Sequence, residues 1–304
     1  MTAEPGATGS IFDLGYQGYD GPRQGRPTVA VGLLRQTLRA AYGIGRGGRA
    51  KIAPFLLLIL ALLPALLAVG ISALASQTGA GRALNANSPI RHDTYQSLTS
   101  TLIMLFCAAQ APELFGRDQR YGVLPLFFSR VLTRADYAIA RTAGLFLAVL
   151  IVSLGPQLVL TLGAVLAADD PLTGIRGDLP DIPRYLAVSV LGSGLLTGVS
   201  AVIAAWTPRR AYATATIIGI FIIPPIVVAL VAGLAVGDLA RVLVLTSPGD
   251  IVEGLNSAIF GVLAEGSPAV VAADLPGWTY VLAALVGIVG SVLIVLRRYL
   301  RVTG

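Results

Sequence analysis

Reactive side chains are nearly missing from this 304-residue sequence: it has one histidine, one cysteine and, as Lys51, one lysine, and 12% of its residues are charged. Cys107 has no partner for a disulfide within one copy, and alone it cannot build a cysteine metal site. His92 sits beside Arg91 with no serine, cysteine or metal-ligand constellation around it, so it reads as a solvated loop residue and argues against a zinc or triad hydrolase. Ala50 precedes the sole lysine, so no GxxxxGK[ST] loop is present to cradle nucleotide phosphates. No catalytic residue, metal site or cofactor is expected in this chain.

What fills the sequence is hydrocarbon. With 55% hydrophobic residues and a mean hydropathy of +0.77, against about 25% charged residues in ordinary soluble domains, it belongs to the multi-pass membrane class. Six segments approach or exceed the roughly 20 helical residues needed to cross about 30 Å of hydrocarbon: 52–75, 95–112, 142–167, 185–206, 212–236 and 279–296. The first holds fourteen Leu, Ile, Val or Phe residues. At about −0.3 to −0.6 kcal/mol each near the centre, these favour insertion by several kcal/mol. The second is diluted by Gln96, Thr99, Ser100, Thr101 and Gln110, and is expected to face protein or a cavity. Pro64, Pro156 and the Pro224-Pro225 pair are expected to kink their helices, with neighbours re-satisfying the freed carbonyls. None of the six segments contains Asp, Glu, Lys or Arg, which speaks against ion-coupled transport.

The flanks orient the chain. Seventeen of its 22 basic residues fall before the first span, after the second, after the fourth and after the last; the alternate loops hold five, with ten of the sixteen acidic residues. The positive-inside rule then puts both termini in the cytoplasm, and a 21 to 1 excess of arginine over lysine marks a GC-rich bacterial coding sequence, hence a bacterial cytoplasmic membrane. Residues 1–27 have no apolar run long enough for a signal peptide and read as a cytoplasmic tail, either disordered or docked through Ile11, Phe12, Leu14, Tyr16 and Tyr19. Residues 28–51 contain an amphipathic helix, with Ala30, Leu33, Leu34, Leu38 and Ala41 opposite Arg35 and Arg39, as expected of a helix lying in the plane of the membrane. Residues 52–304 form the six-span domain. Within it, residues 237–278 split into three apolar pieces too short to cross, LARVLVL (239–245), LNSAIFGVLA (255–264) and PAVVAADLP (268–276), which form either a re-entrant helical hairpin that dips back from outside or a surface cap.

The most patterned polar stretch is 112–141, PELFGRDQRYGVLPLFFSRVLTRADYAIAR. Glu113, Arg117, Asp118 and Arg120 come first. Tyr121-Gly122 then breaks the run before Leu124, Phe127, Phe128, Val131 and Leu132 recur at helical spacing, with Ser129, Arg130, Thr133 and Arg134 on the opposite side. Thr133 and Asp136 read as a capping box that starts the next helix. A short amphipathic helix between two spans suits either a coupling element that receives force from a soluble partner or an interfacial loop helix.

Six spans with both ends inside, an in-plane N-terminal helix, this basic loop and a half-inserted outer hairpin resemble the type 2 ABC exporter permeases. Pro112, Glu113, Arg117, Tyr121-Gly122, Leu124 and Ser129-Arg130 through Asp136-Tyr137 are similar to that family's loop after the second span, and the tail GYQGYDGPR is similar to its actinobacterial members. Val131 stands where the family usually has proline. The resemblance implies two identical or homologous permeases and two separate ATPase subunits that bind ATP and magnesium. It further implies coupling through the 113–141 loop, and a substrate path along the first, second and fifth spans with the outer hairpin as gate. Thr99, Thr101 and Gln110 would line that path and Ile259 and Phe260 would belong to the gate, which suits an amphipathic drug, natural product or lipid. The competing expectation is a structural or assembly membrane protein without transport activity.

Overall fold

The computed structural model describes residues 21, 25–77, 90–128, 132–168, 170–234, 237–264 and 266–301. The tail expected over 1–27 falls almost wholly outside them, as do Ser129, Arg130 and Val131. All regular elements among the described residues are α-helices: α1 (Arg26–Ala41), α2 (Arg49–Gln77), α3 (His92–Arg120), α4 (Leu124–Phe128), α5 (Arg134–Ala167), α6 (Pro171–Asp178), α7 (Asp181–Trp206), α8 (Arg210–Gly233), α9 (Gly237–Val244), α10 (Pro248–Phe260), α11 (Pro268–Ala273) and α12 (Gly277–Leu300). Six of them, α2, α3, α5, α7, α8 and α12, are long and apolar enough to cross a membrane, as in a multi-pass membrane protein. They coincide with the six apolar segments.

Helices α3, α5 and α7 form the inner layer, and α2, α8 and α12 flank it with mostly exposed apolar faces. Small residues let the layers approach. In lipid there is no hydrophobic drive between helices, so association relies on close packing, and a Cβ built on Gly198 of α7 would lie 2.8 Å from the Cβ of Ser291 on α12. Helix α3 runs unbroken through Pro112 for 29 residues. Proline cannot donate to the carbonyl four residues back, and here the Thr214 hydroxyl of α8 donates to Ala108 O at 3.1 Å in its place.

Helix α1 is docked on α5 and α3. Leu33, Thr37 and Ala41 are buried, while Arg35 and Arg39 are exposed. The fit is tight at Gly144 of α5, where an added Cβ would meet Thr37 Cβ at 2.6 Å and Leu34 O at 3.1 Å.

Residues 237–278 contain three helices, and the middle one differs from its expected place. The apolar run suggested 255–264, yet α10 starts at Pro248, where Ser247 accepts from the backbone N–H of Asp250, and stops at Gly261 in the left-handed conformation, φ 72°. Capping and glycine chemistry outweighed the apolar run. Helix α10 packs among α3, α7, α8 and α12, with Ile251, Val252 and Leu255 buried.

Replacement of Gly144 by valine should push α1 off α5 and cost about 1–3 kcal/mol. A lowered unfolding midpoint, with faster proteolysis of residues 26–41, is the expected result in detergent; an unchanged midpoint would show that α1 contributes no packing.

Candidate functional site

The residues singled out around the second span gather at the arginine-rich end of the bundle, although not as one loop. Glu113, Arg117, Asp118 and Arg120 occupy the last turns of α3, which does not stop at Pro112. Arginines there also oppose the partial negative charge of a helix C-terminus. Tyr121 caps the helix and Gly122, at φ 63°, takes the left-handed conformation that turns the chain into α4. The capping box is present as expected: Thr133 Oγ1 accepts from Asp136 N at 3.2 Å, and Asp136 Oδ2 accepts from Thr133 N at 2.9 Å. Arg26 of α1 reinforces it, donating to Asp136 at 2.7 and 2.9 Å and to the Thr133 hydroxyl at 3.2 Å.

The centre of this end is a buried ion pair. Asp118 of α3 accepts from Arg141 of α5 and from the Tyr137 hydroxyl at 2.7 Å, and Arg141 also reaches Thr37 of α1 at 3.3 Å. Around it, Tyr137 packs against Phe127, Phe128 and Tyr299 with ring centroids 5.4, 5.8 and 5.1 Å apart. Arg141 lies over the Tyr137 ring at 5.4 Å and Arg134 over Phe128 at 5.8 Å. The apolar row of α4 therefore faces inward: Leu124 is buried and Phe127 and Phe128 are half-buried, while Tyr121 and Leu126 are 67% and 68% exposed. The sequence pattern had singled out the anchoring side of the helix and missed Leu126.

Glu113 accepts from Arg46 at 2.7 Å and lies 3.4 Å from Arg210, while Arg120 donates to Pro208 O and Arg134 to Leu300 O. Between α1, the end of α3 and α4 opens a cleft of about 1210 Å³. Arg35, Arg39, Arg46, Arg117 and Arg141 line it against two carboxylates, Glu113 and Asp118, and Leu33 forms part of its floor; Leu38 is half-buried in the core beside it. Both carboxylates are already paired. The cleft is therefore a net cationic groove with an apolar rim at Leu126 and Tyr121.

At the acidic end the placement differs from expectation. His92 is not a solvated loop residue: it is the first residue of α3, 8% exposed, with Nδ1 2.6 Å from Gln157 Oε1, Nε2 3.4 Å from Asp178 Oδ2, and its ring stacked on Tyr185 at 4.9 Å. It clasps α3 to α5, α6 and α7. Thr101 lines a pocket between α3 and α8, whereas Thr99 is buried with its hydroxyl on Tyr95 O, and Gln110 is buried in the bundle. Ile259 and Phe260 are half-buried at the far end of α10.

Two groups were missed. Asp250 and Glu253 of α10 are buried and line the same pocket as Thr101. Glu253 accepts from Ser97 of α3 at 2.7 and 2.9 Å and from Gly266 N at 3.3 Å, and burial pushes its carboxyl above the usual carboxylate range. The apolar segments indeed carry no charge, but the bundle encloses charge through α10. Only the Ser247 and Ser267 caps hinted at it.

No family model matches the chain, and no curated protein matches it.

Removing one member of the Asp118–Arg141 pair leaves a buried charge uncompensated, so Asp118→Asn or Arg141→Met should each cost about 3–5 kcal/mol. The double variant should recover part of that loss. Unfolding of the reconstituted protein measures it, and additive losses would show that the two side chains act independently.

Proposed function

We propose that this chain is the membrane-spanning permease subunit of an ATP-driven exporter of the type 2 ABC kind, moving an amphipathic substrate outward with the energy of a separate ATPase subunit. The arginine-rich end then faces the cytoplasm and the acidic end faces out. Two permeases, identical or homologous, flank the path, and two ATPase subunits dock below. Helix α1 lies in the plane of the inner membrane surface, and α10 with α11 makes a re-entrant hairpin that gates the outer end.

The observation that carries this reading is the construction of the arginine-rich end. A five-residue helix is anchored by its aromatic side chains to Tyr137, which itself packs on Tyr299; it presents Leu126 outward beside Tyr121 at the end of α3, and it borders a cationic cleft. An interfacial loop helix would turn its apolar side to lipid. Here that side is turned into protein, which leaves α4 fixed to α3 and α5 as a rigid element through which an external push reaches two spans. An acidic, partly apolar groove on an ATPase complements the exposed features, and charge steers such a contact while the apolar anchors hold it.

Orientation is tested first. In a Cys107→Ala background, single cysteines at Leu179 and Leu263 should react with an impermeant maleimide added to intact cells, and cysteines at Arg120 and Arg301 should react only after lysis. Outside labelling at Arg120 would invert the chain and remove the coupling role.

Coupling is tested next, in vesicles holding the permease with its co-purified Walker-motif ATPase. Tyr121→Ala with Leu126→Ala should weaken ATPase association by roughly 1–3 kcal/mol, that is, about fivefold to 150-fold. Phe127→Ala with Phe128→Ala should leave the ATPase bound yet lower efflux per ATP hydrolysed, because the helix loses its anchor on Tyr137. Arg117→Glu should weaken association most at low salt. Unaltered binding and efflux in all three would return α4 to an interfacial helix and favour a structural membrane protein.

A further inference from the structure

We infer that the pocket between α3, α8 and α10 at the acidic end is a binding site for the cationic head of an amphipathic organic amine. The inference rests on the exporter reading for its meaning, since it names that exporter's substrate class. Its physical basis lies in the pocket itself.

The pocket holds about 250 Å³ and is lined on one side by Ser97, Ser100, Asp250 and Glu253, on the other by Ile218 and Phe221. Its serine hydroxyls are already committed to other partners. Ser97 donates to Glu253, Ser100 to Ser97 O at 2.8 Å, and Ser267 to Asp250 Oδ1 at 2.7 Å. Apart from the exposed Thr101 hydroxyl, what remains is acceptor capacity. Asp250 is 4% exposed, and its Oδ2 has no hydrogen-bond partner among the described residues. A buried acceptor left unmatched is costly, and a donor arriving with a ligand removes that cost.

Charge selects the donor. Asp250 in the first turn of α10 is favoured by the partial positive charge of the helix N-terminus, but Glu253, one turn further on, shares the pocket with it and gains little. No basic side chain lines the pocket among the described residues. A carboxylate or phosphate ligand would be repelled twice. A protonated amine offers N–H donors to both carboxylates, and Phe221 adds an aromatic wall of the kind that favours organic cations. At about 250 Å³ the pocket falls below the roughly 300–1,000 Å³ that enclose a drug-sized ligand, so it takes a head group. The hydrocarbon remainder lies along Leu105 and Ile222, which are 39% and 50% exposed at its rim.

The test uses the purified full-length chain in lipid nanodiscs, with phenethylammonium as probe and 2-phenylethanol and 3-phenylpropanoate as neutral and anionic controls. Calorimetry should show saturable binding of the ammonium, at least about tenfold tighter than either control, and Asp250→Asn and Glu253→Gln should each weaken it about tenfold. Should those variants fail to reconstitute, Ser100→Cys in the Cys107→Ala background keeps both carboxylates. Its modification by a small methanethiosulfonate should be slowed by phenethylammonium and by neither control. Equal binding of ammonium and alcohol, or equal modification rates with and without the ammonium, would overturn the inference. Selective binding by a chain that recruits no ATPase would keep the site and remove the exporter, whereas an ATPase partner without ammonium selectivity would remove the site alone.

Discussion

Charge is costly to bury inside a bundle built for hydrocarbon, and the solution at Asp118 and Arg141 organises one whole end of the molecule. A buried pair survives only when its remaining hydrogen-bonding capacity is met, and here Tyr137 and Thr37 meet part of it. Those four side chains come from α1, α3 and α5, so satisfying the charges also fixes the helices. Tyr137 has a second task, because its ring carries Phe127 and Phe128. The position of α4 thus depends on an electrostatic arrangement one layer deeper, and α4 cannot shift without disturbing the aromatic contacts that cover the pair.

The acidic end follows a different rule. Its buried carboxylates, Asp250 and Glu253, accept from the Ser267 and Ser97 hydroxyls and, at Glu253, from the Gly266 N–H, and meet no cation among the described residues. Hydroxyls can share a carboxylate's lone pairs, but they do not neutralise it. The buried charges at one end are therefore matched within the protein, whereas the buried carboxylates at the other have no cation among the described residues.

Much of the architecture was legible because hydrocarbon thickness imposes a length: the six apolar segments became the six long helices. The Thr133–Asp136 box was equally readable, since capping is local chemistry. Less legible was anything decided by neighbours. The apolar row of α4 has the same spacing whether it faces lipid, a partner or Tyr137, and only the packed structure shows that it faces Tyr137. His92 carries no periodic signal, and its burial depends on Gln157, Asp178 and Tyr185, which are distant in sequence. Asp250 and Glu253 lay in a segment read by its apolar pieces. A helix starting at Pro248 instead of Leu255 brings both carboxylates to one pocket, Glu253 on Ser97 of α3 and Asp250 on Ser267, and only Ser247 announced that start.

Helix α3 touches both ends. From Ser97, which holds Glu253, to Asp118, which holds Arg141, is 21 residues, or about 30 Å of helix. A continuous helix of that length moves largely as a body unless it has a hinge, and Pro112 supplies a candidate near the lower end. The carbonyl it frees is met by Thr214 of α8, so bending there would exchange one side-chain hydrogen bond and leave the ladder intact. Under the exporter reading, a push on α4 acts below this proline and the pocket lies above it. Transmission then runs from α3 to α8 through the contact of Thr214 with Ala108, and the pocket between those same two helices is where a change at that contact would be felt.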